Sequence, residues 1–432
     1  MNAQHKGLHQ RPAFGRLSRW GHAFACAGGA LLVAAGLVSC DDDHHRYWYN
    51  VAPGPGYTPN SIVVTDVNGD GIPDLLVART IDQGLAQDPG LASVYLGASS
   101  SPGTYQPGTD YPTTGSNPSG IAAAALSGSG TVDLVVSNFG SGTASLFMHD
   151  PANPGKYLAA TTLTTGGQPN QVVAADIDGD GKPDLVFADL SASGNAIVLI
   201  QSATAVGTFA TPLNLSTGAM TSSVAVGDLN GDGHPDIVTA NFDSNGNNGS
   251  VTIFFQNASS PGTFAAGVTF PAGAQPQSVR IADVNGDGLP DLIVANRGPG
   301  NDGTGMPGVS ILLQDATHPG TFLAPVTYAT PWGATDVAVA DLNGDGKPDL
   351  AVVSLGPGPN GAVSVLLQST TAPGTFGTAT SYPGIGQPLS VAIADLNGDG
   401  LPDIAVADGY SATVLLQIAS QPGAFNNPTV VN

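Results

Sequence analysis

One nine-residue phrase recurs six times along this chain and constrains its fold more than any other feature. Copies start at Asp66, Asp176, Asp228, Asp283, Asp341 and Asp395, and each reads Asp-x-Asn/Asp-Gly-Asp-Gly-x-Pro-Asp. Glycines at positions 4 and 6 permit a turn tight enough to bring the side chains of positions 1, 3, 5 and 9 to one point. The carbonyl at position 7 can add a further oxygen. An all-oxygen, mostly carboxylate set with no soft ligand suits calcium. The candidate ligands in the first copy are Asp66, Asn68, Asp70 and Asp74. The second supplies Asp176, Asp178, Asp180 and Asp184, the third Asp228, Asn230, Asp232 and Asp236. The remaining three supply Asp283, Asn285, Asp287 and Asp291; Asp341, Asn343, Asp345 and Asp349; and Asp395, Asn397, Asp399 and Asp403.

A decayed copy stands between the first two. Aligning Asp133 with Asp74 puts Ala125, Ser127 and Ser129 at positions 1, 3 and 5, so three ligands are lost while Gly128 and Gly130 keep the turn. The seven starts are then 66, 125, 176, 228, 283, 341 and 395, at intervals of 59, 51, 52, 55, 58 and 54 residues. Periods of this size belong to propellers, solenoids or arrays. Before each loop comes an alternating run, such as Ser-Val-Arg-Ile-Ala ahead of Asp283, and after it an apolar, β-branched one, such as Leu-Ile-Val-Ala after Asp291. Both read as strand. A third run, a Pro-Gly-Thr-Phe turn (261–264, 319–322 and 373–376, with variants at 102, 154, 206 and 422) and a weaker fourth run complete each repeat. Four short strands repeated seven times predict an all-β, seven-bladed propeller. A helix-flanked EF-hand or dockerin loop opens the same way, but the flanks here are strands and the chain has no glutamate. Calcium-binding β-helix repeats recur every few residues rather than every fifty-odd.

The pattern resembles the FG-GAP/VCBS repeats, the calcium-loop propeller blades also found in the head of integrin α subunits. The resemblance covers roughly residues 58–432. It implies that the loop joins the first and second strands of a blade and that about six structural calcium ions staple those hairpins, with the loop at 125–133 in doubt.

Charge agrees with this. The chain carries a formal net charge of −22, and all 33 of its acids are aspartate. Removing the four cations of residues 1–39 takes it to −26, and six divalent ions would return it to −14. Metal is expected to contribute to folding of so acidic a set of loops. The absence of a basic patch argues against nucleic acid.

The N-terminus reads as an export signal. Lys6, Arg11, Arg16 and Arg19 precede an apolar run from Ala23 to Val38, short for a membrane span, that ends at Leu37-Val38-Ser39-Cys40. This resembles the bacterial lipobox, which implies a signal peptide over 1–39, lipidated Cys40 at the mature N-terminus, a linker over 40–57, and membrane anchorage in the cell envelope. Cys40 is then the one remaining cysteine, so no intramolecular disulfide is possible.

Loops of a propeller alternate between two faces. The calcium loops and Pro-Gly-Thr-Phe turns share one, and the variable loops share the other, the longest at 79–92, 241–249 and 296–308. Variable loops on a rigid scaffold commonly carry specificity. Five residues after each motif stand Arg79, Asn138, Asp189, Asn241, Asn296, Ser354 and Asp408, and five before it Ser61, Gly120, Gln171, Ser223, Ser278, Asp336 and Ser390. The expectation is a hydrophilic channel mouth suited to a polysaccharide or a protein, with Trp332 as a platform for a sugar ring. Candidate ligand-binding residues are Trp332, Asn296, Asn241, Asp189, Asp336 and Asp408. A binding or adhesion scaffold is the leading reading. A polysaccharide lyase or hydrolase using Asp189, Asp336 or Asp408 is the alternative, although no nucleophile elbow, zinc signature or phosphate loop appears.

Overall fold

The computed structural model describes residues 56–431, apart from 84, 86, 243–248, 299–305 and 358–359. The candidate signal peptide, Cys40 and nearly all of the candidate linker lie outside the described residues, as do parts of the three long loops.

The described residues form a seven-bladed β-propeller. Each blade is a four-stranded antiparallel meander in chain order. The first blade comprises Gly56–Thr65, Asp74–Asp82, Pro89–Tyr95 and Thr109–Ser116. The seventh comprises Pro388–Ala394, Asp403–Asp408, Ala412–Leu415 and Thr429–Val431. Among the described residues the only helix is the single 3-10 turn Phe139–Ser141. The decayed repeat is a full blade, whose first two strands, Pro118–Ala124 and Asp133–Asn138, are joined through Gly128 and Gly130 at φ +65° and +78°.

The second strands explain why the core is divided. Successive side chains of a strand point to opposite faces, and in a blade both faces meet a neighbour. In Asp291–Asn296, Leu292 and Val294 pack with Val238 and Ala240 of blade 4. Ile293 and Ala295 pack instead with Leu350 and Val352 of blade 6. Continuous apolar runs therefore replace the alternation of a one-sided sheet, and the hydrophobic interior consists of seven inter-blade seams. The seventh seam closes the ring: Ile62, Leu75 and Val77 of blade 1 pack with Ala405, Ala407 and Val414 of blade 7. Blade 7 draws all four strands from its own segment, so among the described residues the ring closes face to face without strand exchange.

Polar groups reinforce this closure around the channel. The inner strand of each blade is irregular near its entry, as between Pro59 and Ser61 or Pro276 and Ser278. An extra residue in a bulge re-aims its side chain. Ser119 Oγ donates to Pro169 O at 3.0 Å, Asn170 Nδ2 to Ser222 O at 2.7 Å, Ser222 Oγ to Pro276 O at 2.7 Å and Thr335 Oγ1 to Pro388 O at 2.8 Å. Each bond reaches the next blade and contributes about 1 kcal/mol net.

Candidate metal centre and the opposite face

Each intact loop is wound on its own aspartates. In the first, Asp66 Oδ1 accepts the Gly69 amide at 2.7 Å and Oδ2 the Gly71 amide at 2.8 Å. Asn68 Oδ1 accepts the Asp70 amide and Asp70 Oδ1 the Ile72 amide, both at 2.9 Å. Gly69 and Gly71 sit at φ +77° and +83°, with open space where a Cβ would stand. They are required for backbone conformation, not for lack of room.

Asp66 Oδ1 also accepts the Asp70 amide at 3.3 Å, so the Asp66 carboxylate takes three amides in all, against about four acceptor sites. Calcium–oxygen distances of about 2.3–2.6 Å hold two ligands of one ion within roughly 5 Å of each other. One oxygen each from Asp176, Asp178 and Asp184 lie within 4.8 Å of one another, close enough to share one calcium ion, while the predicted position-5 ligand Asp180 is not part of that group. The other five intact loops have the same architecture with Asn in place of Asp178, which exchanges a carboxylate for a neutral carbonyl.

The aspartate at position 9 has a second role that sequence reasoning missed. Asp74 Oδ2 accepts the Val67 amide at 2.9 Å, and its Oδ1 accepts the Gly97 amide at 2.8 Å, just beyond the third strand. The same pair of bonds ties Asp291 to Val284 and Gln314. Asp133 makes a related pair in the decayed loop, bonding the amide of Ser127, one position later than in the intact loops, and that of His149. Position 9 is thus a pin between hairpin and third strand, with or without the other ligands. Desolvation by burial pushes Asp74, Asp184, Asp236, Asp291, Asp349 and Asp403 each up to about 6, against the opposing pull of their amide bonds. A buried carboxylate of this kind favours a cation beside it.

Glutamine completes the joint in blades 3 to 7. Gln314 Nε2 donates to Pro290 O at 2.8 Å, and its Oε1 accepts the Gly320 amide at 3.1 Å, locking the loop to the outer turn. Gln201, Gln256, Gln368 and Gln417 repeat this. Their fixed position, eight residues before the phenylalanine of each outer turn, was the available signal.

The opposite face departs from the expected open ring. Asn241 and Asn296 are fully buried, and Asp189 and Asp408 nearly so. Asn296 Nδ2 donates to Ser310 Oγ at 2.7 Å, which meets Thr327 Oγ1 at 2.8 Å, forming a polar ladder across one blade. Asn241 joins Thr252 and Thr269 in the same way. Asp189 accepts from Gln168 N, Ser191 N and Oγ, and Asn195 Nδ2. Asp408 accepts from the amides of Tyr410 and Ser411 and from Thr413 Oγ1. Asp336 is 5 % exposed and links three blades: it accepts Ser278 Oγ at 2.7 Å, Arg280 Nη2 at 2.6 Å and Val391 N at 3.0 Å. Each of these carboxylates is engaged by its own set of donors.

Trp332 is half-buried, and a Cβ on Gly356 would stand 2.9 Å from its Cδ2, so the ring lies against the second-to-third loop of blade 6. Tyr410, 44 % exposed, lies beside Gly386 on the same face and was not singled out from sequence. On the side of the aspartate–glycine loops a recess of about 630 Å³ opens between the inner strands of blades 5 and 6, lined by Arg280, Ile281, Val339, Asp341 and Lys347 among others. Its one carboxylate, Asp341, is the first residue of the aspartate–glycine loop of blade 6.

Seven four-stranded blades, six of them opened by one aspartate–glycine hairpin loop, define a repeat propeller. The FG-GAP-like repeat pattern matches residues 126–187, 176–239, 240–294, 283–352 and 351–406, and the FG-GAP repeat pattern matches 58–88. The chain belongs to the FG-GAP repeat family. A search of curated proteins found no match. Among solved structures it is similar to a protein from Lactobacillus plantarum, with 14% identity, a TM-score of 0.52, and coverage of 82% of this chain and 94% of that one. It is also similar to a candidate 6-phosphogluconolactonase from Bacteroides uniformis, with 14% identity, a TM-score of 0.51, and coverage of 88% and 98%. At such identity these likenesses speak to fold alone.

Proposed function

We propose that this propeller is a calcium-stapled binding scaffold, anchored to the bacterial cell envelope through lipidated Cys40, that recognises a polysaccharide or protein on the face opposite the calcium loops. The observation that carries this reading is the contrast between the faces. One repeats the same loop and turn in almost every blade, while the other breaks the repeat and presents Trp332 and Tyr410. Aromatic rings with an apolar face and a polar edge suit sugar or peptide ligands.

The catalytic alternative gains nothing from the site. Asp189, Asp336 and Asp408 already accept three or more hydrogen bonds each within the chain. The test is binding of the calcium-loaded protein to a panel of envelope polysaccharides and surface proteins. Trp332→Ala or Tyr410→Ala is expected to weaken the ligand found roughly tenfold, or about 1.4 kcal/mol, near the upper range for an aromatic contact. Unchanged affinity in both variants, with melting temperature retained, would remove the site from this face.

A further inference from the structure

The calcium loops touch more than their own hairpins. In each blade the outer turn between third and fourth strands contains a glycine in the left-handed region, from Gly103 at φ +78° to Gly423 at φ +77°. That glycine sits against the preceding blade. A Cβ at Gly155 of blade 2 would stand 3.1 Å from Cβ of Asn68, the position-3 residue of blade 1, and 3.2 Å from Leu96. A Cβ on Gly374 of blade 6 would stand 3.1 Å from Cβ of Asn285 of blade 5, and one on Gly320 of blade 5 would stand 3.4 Å from Cβ of Asn230 and 2.8 Å from the Phe255 ring of blade 4. A Cβ on Gly262 would stand 3.5 Å from Cβ of Asp178, one on Gly423 3.4 Å from Asn343 and 3.2 Å from Leu367, and one on Gly103 of blade 1 3.3 Å from Asn397 and 3.1 Å from Leu416 of blade 7. Six of the seven seams thus seat a turn on a candidate metal ligand of the neighbour. The seventh differs: Gly207 of blade 3 meets Met148 and Leu146 of blade 2, beside the decayed loop.

We infer that each metal site clamps the next blade, because its position-3 ligand forms the seat of the next blade's outer turn, and that the seam between blades 2 and 3 is the one such joint independent of calcium. The inference rests on the calcium reading above. An ion fixes the position-3 side chain, and with it the surface on which the neighbour's turn packs. Opening that turn then requires the seat to move, so opening is linked to metal release.

Blades 2 and 3 separate this from a metal that acts only within its own hairpin. Blade 2 has no intact loop, but its turn sits on Asn68. Blade 3 has the loop richest in carboxylate, but its turn sits on blade 2. Equivalent reporter amides exist in every turn: Lys156 N donates to Asn153 O at 3.0 Å in blade 2, and Thr208 N to Ala205 O at 3.2 Å in blade 3. The experiment is amide hydrogen exchange of the whole protein in calcium and in chelator, with bound ions counted by native mass spectrometry. With calcium about a hundredfold above its dissociation constant, exchange at Lys156 is expected to slow by up to about a hundredfold, and exchange at Thr208 to stay unchanged. The converse, with Thr208 slowed and Lys156 unchanged, would overturn the clamp in favour of own-hairpin stapling. Equal slowing in all seven turns, or in none while ions are bound, would also overturn it. A count of no ions would instead show that the calcium reading itself had failed.

Discussion

Replacing one position-9 aspartate by asparagine is expected to have opposite consequences with and without calcium. Asp291 accepts two backbone amides, Val284 N at 3.0 Å and Gln314 N at 2.8 Å. Asparagine of the same shape accepts one and turns an NH₂ group toward the other, a loss of about 1–3 kcal/mol. In chelator at neutral pH a gain opposes this loss. Burial pushes the Asp291 carboxyl from 3.8 to about 6, so holding it ionised costs roughly 3 kcal/mol, a cost that asparagine removes. The two effects nearly cancel, and Asp291→Asn is expected to be close to neutral without metal. With calcium about a hundredfold above its dissociation constant, the variant also forfeits about 2.7 kcal/mol of linkage, for a total of about 3 kcal/mol. Asp133→Asn is the internal control. It removes the same kind of amide pin in a loop lacking ligands at positions 1, 3 and 5, so its cost of about 1–3 kcal/mol should not depend on calcium. Urea denaturation of both variants in calcium and in chelator measures the four differences. Equal calcium dependence for the two variants, or none for Asp291→Asn, would refute the assignment of position 9 as both pin and ligand.

Three further outcomes follow from the same geometry. Six position-9 carboxyls have folded values of about 6 against 3.8 unfolded, so their protonated forms contribute stability that is full below 3.8 and lost as pH rises through 6. Melting temperature in chelator should therefore rise as pH falls from 7 to 5, and with calcium, where protons compete for the ligands, it should fall; a falling profile in both conditions would contradict this. Asp336→Ala leaves Arg280 and the Val391 amide without their acceptor and should cost about 3–5 kcal/mol, of which adding Arg280→Ala recovers part; a double variant no better than the single would show that the ion pair does not matter. Cys40→Ser should move the protein from the membrane to the soluble fraction and abolish incorporation of a labelled fatty acid; an unlabelled wild-type chain would exclude the anchor.

Blade number and blade order were legible in the sequence because the loop motif marks one hairpin per blade and its interval matches four short strands. The decayed blade could be read from Gly128, Gly130 and Asp133 alone, since the hairpin needs the turn and the pin but not the other ligands. The polar positions at the strand ends were misleading for a physical reason. Where both faces of a strand are buried, a polar residue at its end can face the channel, the neighbouring blade or its own sheet, and side-chain spacing does not distinguish these. Asn241 and Asn296 turned into ladders within their own blades, whereas Ser223, Ser278 and Asp336 turned to the next blade. Tyr410 was missed because a single aromatic in a loop carries no periodic signal. The seats beneath Gly155 and Gly374 belong to residues about ninety positions earlier and become visible only when blades are placed side by side.

The central claim is that calcium holds this ring together, and counting ions under native conditions while following thermal unfolding tests it most directly. The account predicts about six bound ions and a large fall in melting temperature on chelation. Far fewer ions, with a melting temperature indifferent to chelator, would mean that the aspartate–amide bonds alone hold the loops and that the metal assignment is wrong.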